Sequence, residues 1–346
     1  MRNLFAILIS LISIGLNAQD IHFSQFTASP LNLNPALTGL FNADFRVVGN
    51  YRSQWASVTV PYRTYSTSLD FGLLKGNLGS DVLGVGLIFY NDVAGDSEFS
   101  TTQLSLSLAY QKSLGNSHFV SVGLQGGMIQ RKINYNKLQF GSQFDGEKYN
   151  ETLSSGEVFT QDNFTYMDAL AGLLWFWAPG QRSNIYAGIA LPHVNRPNIS
   201  FMSDQDKLYR KLVIHSGSQH FLKDNLDLLP SVVLFKKGPS FELNFGSYLK
   251  FLLQGEQRSK AETSFYIGAW FRISGNESKA LKEDAFILST KMDYKRISLG
   301  FSYDINVSEL QPASNYKGGP EISLIYLGWL PRTGGVSKTS LPCLRI

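Results

Sequence analysis

The residues able to do chemistry are few and scattered along the chain. The five histidines are His22, His118, His193, His215 and His220, and only the last two are close in sequence. A spacing of five puts them on opposite faces of an extended strand, which is poor geometry for a shared metal ion. No HExxH, P-loop or GxSxG motif is present. Cys343 is the only cysteine, so no disulfide or cysteine metal site can form within the chain. Asp70, Asp168, Asp293 and Asp304 fall in segments that read as strands, where a carboxylate is expected to be solvated or paired with arginine rather than catalytic. The stretch Asp145 to Asp162 is rich in Asp, Glu, Asn, Ser and Gly and could hold calcium weakly. It lacks the oxygen spacing of an EF-hand and reads as a solvated surface loop. The sequence predicts no catalytic residue, no cofactor and no metal site.

The elements around these residues alternate with period two. Gln103-Leu104-Ser105-Leu106-Ser107-Leu108-Ala109-Tyr110 puts leucine on one face and Gln or Ser on the other. Phe265, Ile267, Ala269 and Phe271 share a face, as do Ile297, Leu299, Phe301 and Tyr303. Charged residues are only 17% of the 346, against about 25% in soluble domains. Aromatics reach 13% and glycines number 31, yet the mean hydropathy is near neutral. That combination suits strands with a lipid face and a small, polar lumen face. A soluble sandwich would instead bury its apolar face against a second sheet. The net charge of +4 is spread thinly, with no basic run longer than a pair, so nucleic acid is not an expected partner.

Arg2, the apolar run Leu4 to Leu16 and Asn17-Ala18-Gln19 have the layout of a secretory signal peptide, with cleavage expected after Ala18. The apolar run is about 13 residues, short of the roughly 20 that a membrane helix needs. With no later membrane-length apolar run, an exported chain that enters a membrane must do so as a closed barrel. The fold expected is an all-β transmembrane antiparallel barrel of about 14 strands, or 12 if two weak strands are loop. The expected divisions are a signal peptide at 1–18, a periplasmic or plug-like segment at 19–43, the barrel at 44–331 and a periplasmic tail at 332–346. Connections after odd strands (53–61, 93–98, 134–163, 194–208, 236–239, 274–283 and 306–319) are expected to be the longer, outer ones, with 236–239 an exception. Trp175, Trp177, Tyr186, Trp270, Tyr326 and Trp329 fall near strand ends and are candidates for interfacial girdles. In the 19–43 segment, Pro30 and Pro35 interrupt any strand, and its apolar residues need burial in the barrel or against a partner.

Taken in order, a set of short motifs resembles the PorP/SprF family of type IX secretion outer-membrane proteins. Phe23-Ser24-Gln25-Phe26, Asn34-Pro35-Ala36 and Thr38-Gly39 are similar to its opening. Arg52-Ser53-Gln54-Trp55 and His193-Val194-Asn195-Arg196-Pro197 resemble its central segments. Gly300 to Leu310, with Tyr303, Asp304, Asn306 and Ser308, then Glu321-Ile322-Ser323-Leu324, resembles its ending, and Pro342-Cys343 its tail. The resemblance implies a role in protein secretion, gliding motility or adhesin anchoring. Implied partners are a secreted adhesin or its type B C-terminal signal domain, other type IX secretion components and outer-membrane lipid. Phe23, Gln25, Asn34, Pro35, Gln54, Trp55, His193, Asn195, Pro197, Tyr303, Asp304, Asn306, Ser308 and Glu321 become candidates for partner contact or barrel scaffolding. Asp304 and Asn306 are expected to hold the adjoining loop through local hydrogen bonds, and Glu321 to pair with Arg46 or Arg272. A transport pore for small or hydrophobic ligands is the alternative function, and an outer-membrane enzyme the third.

Overall fold

The computed structural model describes residues 22–330 except 59, 76–79, 181, 202–204, 254–262, 277–278 and 310. The expected signal peptide and C-terminal tail lie outside the described residues. The wall begins with β1 (Phe45–Gln54), β2 (Tyr62–Leu73), β3 (Val82–Ala94), β4 (Phe99–Gly115) and β5 (His118–Lys132). It continues through β6 (Asn163–Gly180), β7 (Ser183–Leu191), β8 (Lys211–Lys223), β9 (Leu226–Lys237) and β10 (Ser240–Leu252). It ends with β11 (Thr263–Asn276), β12 (Lys279–Tyr294), β13 (Ile297–Asn306) and β14 (Lys317–Gly328). Each strand pairs antiparallel with its sequence neighbour, and β1 pairs with β14, so the 14 strands form a closed barrel with no free edge. Closure pairs the backbone groups within the wall, which is what a sheet in lipid requires.

The period-two pattern sets the two faces. Leu104 and Leu106 are each 52% exposed on the outside, while Ser105 and Ser107 between them are buried within. No helix among the described residues is long and apolar enough to cross a membrane, so spanning falls to the strands. One end of the barrel, the turn end, carries the tight connections 116–117, 224–225 and 295–296. The other, the loop end, carries 133–162, 192–210 and 307–316. The expected loop at 274–283 is not formed: β11 and β12 run on to Asn276 and from Lys279. Register shifts at Arg272/Ile273 and Ser274/Asn276 let the extended hairpin bend.

Residues 22–43 lie inside the wall. They pass through a 3₁₀ turn at Phe26–Ala28, one α turn at Pro30–Leu33 and a second 3₁₀ turn at Pro35–Leu37. Pro30 and Pro35 stand at the start of their turns, where the missing N–H is not needed. The segment runs from the loop end, where the His22 carbonyl accepts from Arg52, to the turn end, where Gly39 lies against Phe71 and Gly72. Phe26, Leu33, Ala36 and Leu37 join wall residues Phe119, Phe176, Tyr186, Tyr248 and Trp270 in one apolar cluster. Tyr186 and Trp270 are therefore lumen core and not girdle residues. They face inward because the enclosed segment gives them apolar neighbours there. Trp175, Trp177, Tyr326 and Trp329 retain some surface exposure.

The wall makes room for the segment with glycine. A Cβ at Gly123 would overlap the backbone of Pro35 and Ala36, and one at Gly172 would overlap the Asn34 carboxamide. Gly126, on the outer face of the same strand as Gly123, would place its Cβ 3.9 Å from its nearest neighbour. We expect Gly123→Val to lower stability by about 1–3 kcal/mol, because backbone rather than a flexible side chain must yield. Gly126→Val is expected to be close to neutral. The temperature at which each variant loses its compact gel mobility in detergent checks the pair, and equal behaviour would contradict the packing described.

Candidate functional site

The interior charges gather where the N-terminal segment meets β1, β11, β13 and β14. The two oxygens of Glu321 accept from the successive backbone N–H groups of Ser24 (2.7 Å) and Gln25 (2.9 Å). The Gln25 amide donates to Ser302 Oγ and to the Glu321 carbonyl, both at 3.1 Å, and its Oε1 accepts from Ser323 Oγ at 2.8 Å. Asp304 Oδ2 accepts from Ser24 Oγ (2.8 Å), Arg52 Nη2 (2.9 Å) and Arg272 Nη2 (2.8 Å). Arg272 also bonds Asp284, the extra residue of a bulge in β12. That bulge turns a carboxylate toward the guanidinium. Arg52, Asp304 and Glu321 are each no more than 2% exposed.

These contacts revise two expectations. Glu321 has Arg52 Nε at 3.8 Å and serves mainly as an acceptor for the segment's backbone, instead of pairing with Arg46 or Arg272. Arg46 belongs to Asp70, which also accepts from Gly39 N–H at 2.8 Å. Asp304 does not hold its adjoining loop, because the arginines and Ser24 draw it into the lumen. Asn306 does have the local role, accepting from Ser308 N–H (3.0 Å) and donating to Ser314 Oγ (2.7 Å).

Asn34 makes a second anchor. Its Oδ1 accepts from Ala36 N–H (2.9 Å), and its Nδ2 donates to the carbonyls of Leu173 (3.1 Å) and Ile189 (3.3 Å). His215 Nε2 lies 3.0 Å from the same nitrogen. Pro35 starts the turn that follows, and its carbonyl accepts from Thr38. Phe23 is buried at the head of the segment.

His193, Asn195 and Pro197 act on the wall. β7 ends at Leu191, and its pairing with β6 begins only at Ala171. Beyond that point the Asn195 carboxamide takes the place of a strand residue. Its Oδ1 accepts from Ala169 N–H (3.1 Å), its Nδ2 donates to the Met167 carbonyl (2.7 Å), and Val194 N–H donates to the Ala169 carbonyl (3.0 Å). His193, at φ 61°, turns its ring inward, with Nδ1 2.9 Å from Asp168 Oδ2. The Pro197 carbonyl accepts from Leu208 N–H. Gln54, Trp55, Tyr303 and Ser308 stand at the loop end, where Ser308 bonds Asn306. Gln54 closes β1, and Trp55 adopts φ 61° at the turn that follows.

Sequence reading thus found Gln25, Asp304 and Glu321 without their mutual geometry, and gave too little weight to Arg52, Arg272 and Ser24. Its place two residues before Gln54, in the motif Arg52-Ser53-Gln54-Trp55, was the available signal for Arg52. Among the described residues no group of His, Cys, Asp or Glu could hold a metal.

A family profile described as "Type IX secretion system membrane protein PorP/SprF" matches residues 15–326. The chain belongs to the PorP/SprF family. It is an outer-membrane-type barrel of type IX secretion, and in this PorP/SprF protein the interior anchors and the Asn195 patch help to hold that barrel together. No curated protein matches the sequence. Solved barrels resemble it in form. The "CymD monoaromatic hydrocarbon channel" has 12% identity and a TM-score of 0.49, covering 88% of this chain and 93% of its own. The "TodX monoaromatic hydrocarbon channel deltaS2 mutant" has 11% and 0.44, covering 84% and 91%. "BamA from Haemophilus ducreyi lacking POTRA domains 1-3" has 8% and 0.42, covering 82% and 70%. No functional conclusion follows from likenesses at these values.

Arg272→Met should lower stability by about 3–5 kcal/mol, since it removes one of the two guanidinium partners of the buried Asp304 and the partner of Asp284. Arg272→Lys should recover only part of this, because one ammonium cannot reproduce the guanidinium fork. Protease cleavage within residues 22–30 of the detergent-solubilised barrel is the readout. Protection as complete as in the unsubstituted protein would contradict the anchoring role.

Proposed function

We propose that this barrel binds, exports or anchors a large cell-surface adhesin, and that it engages the adhesin's type B C-terminal domain through its loop-end connections. In this reading residues 1–18 are a cleaved signal peptide, the loop end faces outward, and the cargo serves surface attachment or gliding. The observation that carries it is the occupied lumen. Residues 22–43 are held there by hydrogen bonds with buried charged side chains of the wall and by an apolar cluster, which leaves the loop end, where the long connections lie, as the surface for a partner. A pore for small or hydrophobic ligands would need that segment to leave.

The loop at 133–162 has the character of a contact surface. Tyr135 stacks on Phe159 at 3.7 Å, and Phe140 lies 5.7 Å from the same ring, which gives the loop an aromatic base. Val158 is 88% exposed and Phe144 57% exposed, apolar residues presented outside the wall. Lys137 bonds Glu98 at 2.5 Å across to the β3–β4 connection and holds that carboxyl below its usual range. Asp145 accepts from the N–H groups of Glu147 and Lys148, so one of its oxygens is already engaged within the loop.

Co-purification of the full chain with an exported type B C-terminal domain tests the reading. Capture is expected, and Val158→Asp with Phe144→Asp should weaken it by about tenfold or more. Failure of the purified barrel to bind any such domain, together with steady conductance in a planar bilayer, would favour the pore instead.

A further inference from the structure

A cavity of 110 Å³ lies above the enclosed segment on the β3–β8 side and opens toward the loop end. Asn32 of the segment forms part of its floor. Three buried side-chain polar atoms that lack a hydrogen-bond partner belong to residues lining this cavity: Gln125 Oε1, Arg131 Nε and Asp168 Oδ1. Gln125 is 4% exposed and Asp168 3%. Leaving a buried polar atom unpaired is costly, so three around one space call for a ligand or ordered water.

We propose that this vestibule is a binding site for a sugar ring. The unpaired atoms ask for two donors and one acceptor in a small volume, and a hydroxyl supplies either. The charged lining residues Arg131, Lys211, Asp92 and Asp168 cancel formally, leaving no net charge for an ionic ligand to answer. Tyr90, Phe99 and Tyr166 also line the space and offer flat apolar surface to the C–H face of a pyranose. The Arg131 guanidinium lies 5.9 Å from the Phe99 ring centre and 5.8 Å from that of Tyr166, so its position is set before a ligand arrives. Asp168 is oriented by His193, and His193 by the wall patch at Asn195. The same motif that repairs the wall therefore aims one acceptor of the site.

The test uses the full chain in an amine-oxide detergent, because a glycosidic detergent would itself compete. Saturation-transfer NMR is recorded against methyl glycosides of glucose, galactose, mannose, rhamnose and N-acetylglucosamine. Saturation transfer to at least one sugar is expected. Gln125→Leu, which disturbs no hydrogen bond described above, should weaken that binding by about tenfold or more while the protein keeps its compact gel mobility. Asp168→Asn should weaken it as well. A second arm compares lipopolysaccharide micelles with the polysaccharide released from them. Binding of both assigns the site to the saccharide itself, and binding of the micelles alone overturns the proposal. So does an absence of saturation transfer, or transfer that neither substitution reduces, either of which leaves a hydrated vestibule only. Loss of cargo-domain capture in Gln125→Leu without any sugar binding would overturn it too, and would identify a docking pocket for a polar side chain of the partner.

Discussion

Glu321 and Arg52 stand opposite one another on the two strands that close the barrel, and both also hold the N-terminal segment. One small group of atoms thus joins the first wall strand, the last wall strand and the material between them. A barrel of about eight strands can be filled by its own side chains, whereas a wider one leaves space that something must occupy. Here the occupant is covalently part of the chain. Its retention depends on contacts that span nearly the whole sequence, such as Ser24 to Glu321. Every other interior feature is subordinate to that arrangement: inward-facing glycine where the backbones touch, carboxylates where backbone N–H groups need acceptors, and an apolar cluster where Phe26 and Leu37 need cover.

The interior is built in two styles. Around Ser24 and Gln25 it is ionic and directional. Around Leu33, Ala36 and Leu37 it resembles the core of a soluble protein, with Phe119 stacked on Phe176 at 4.7 Å and Tyr248 edge-on to Trp270 at 4.4 Å. Apolar burial supplies most of the favourable free energy in such a core, and the buried ions contribute little net stability beyond a defined position. A defined position matters because the segment forms part of the floor of the vestibule above it.

Much of the wall was legible in the sequence. Leu104, Leu106 and Leu108 against Ser105 and Ser107 specified both a strand and its two faces, and the tight connections marked one end. Strand alternation reports which residues share a face but is silent about what covers the inner one. Within Asn163–Gly180 both faces carry apolar residues: Leu174 and Phe176 point inward while Leu173 and Trp177 point out. The periodic signal fades there, and a tryptophan or tyrosine such as Trp270 or Tyr186 could not be assigned to lipid or lumen. Asp304 was misread for a related reason. Its neighbours in sequence suggest a local cap, whereas the groups it bonds, Ser24, Arg52 and Arg272, are brought to it only by closure. The motif at His193 was visible, but its use required knowing that β7 stops short.

That short strand has a consequence for how the molecule can vary. Where two full strands pair, the length of the connection between them constrains their register. Where a carboxamide substitutes for the missing residues, β6 keeps its ladder with β5 and is held on the β7 side by Asn195 and the Val194 N–H, so the connection that follows is relieved of that duty. Insertions, deletions and new sequence can accumulate there without shifting a ladder. A barrel built this way can exchange its loop-end surface while its staves stay as they are.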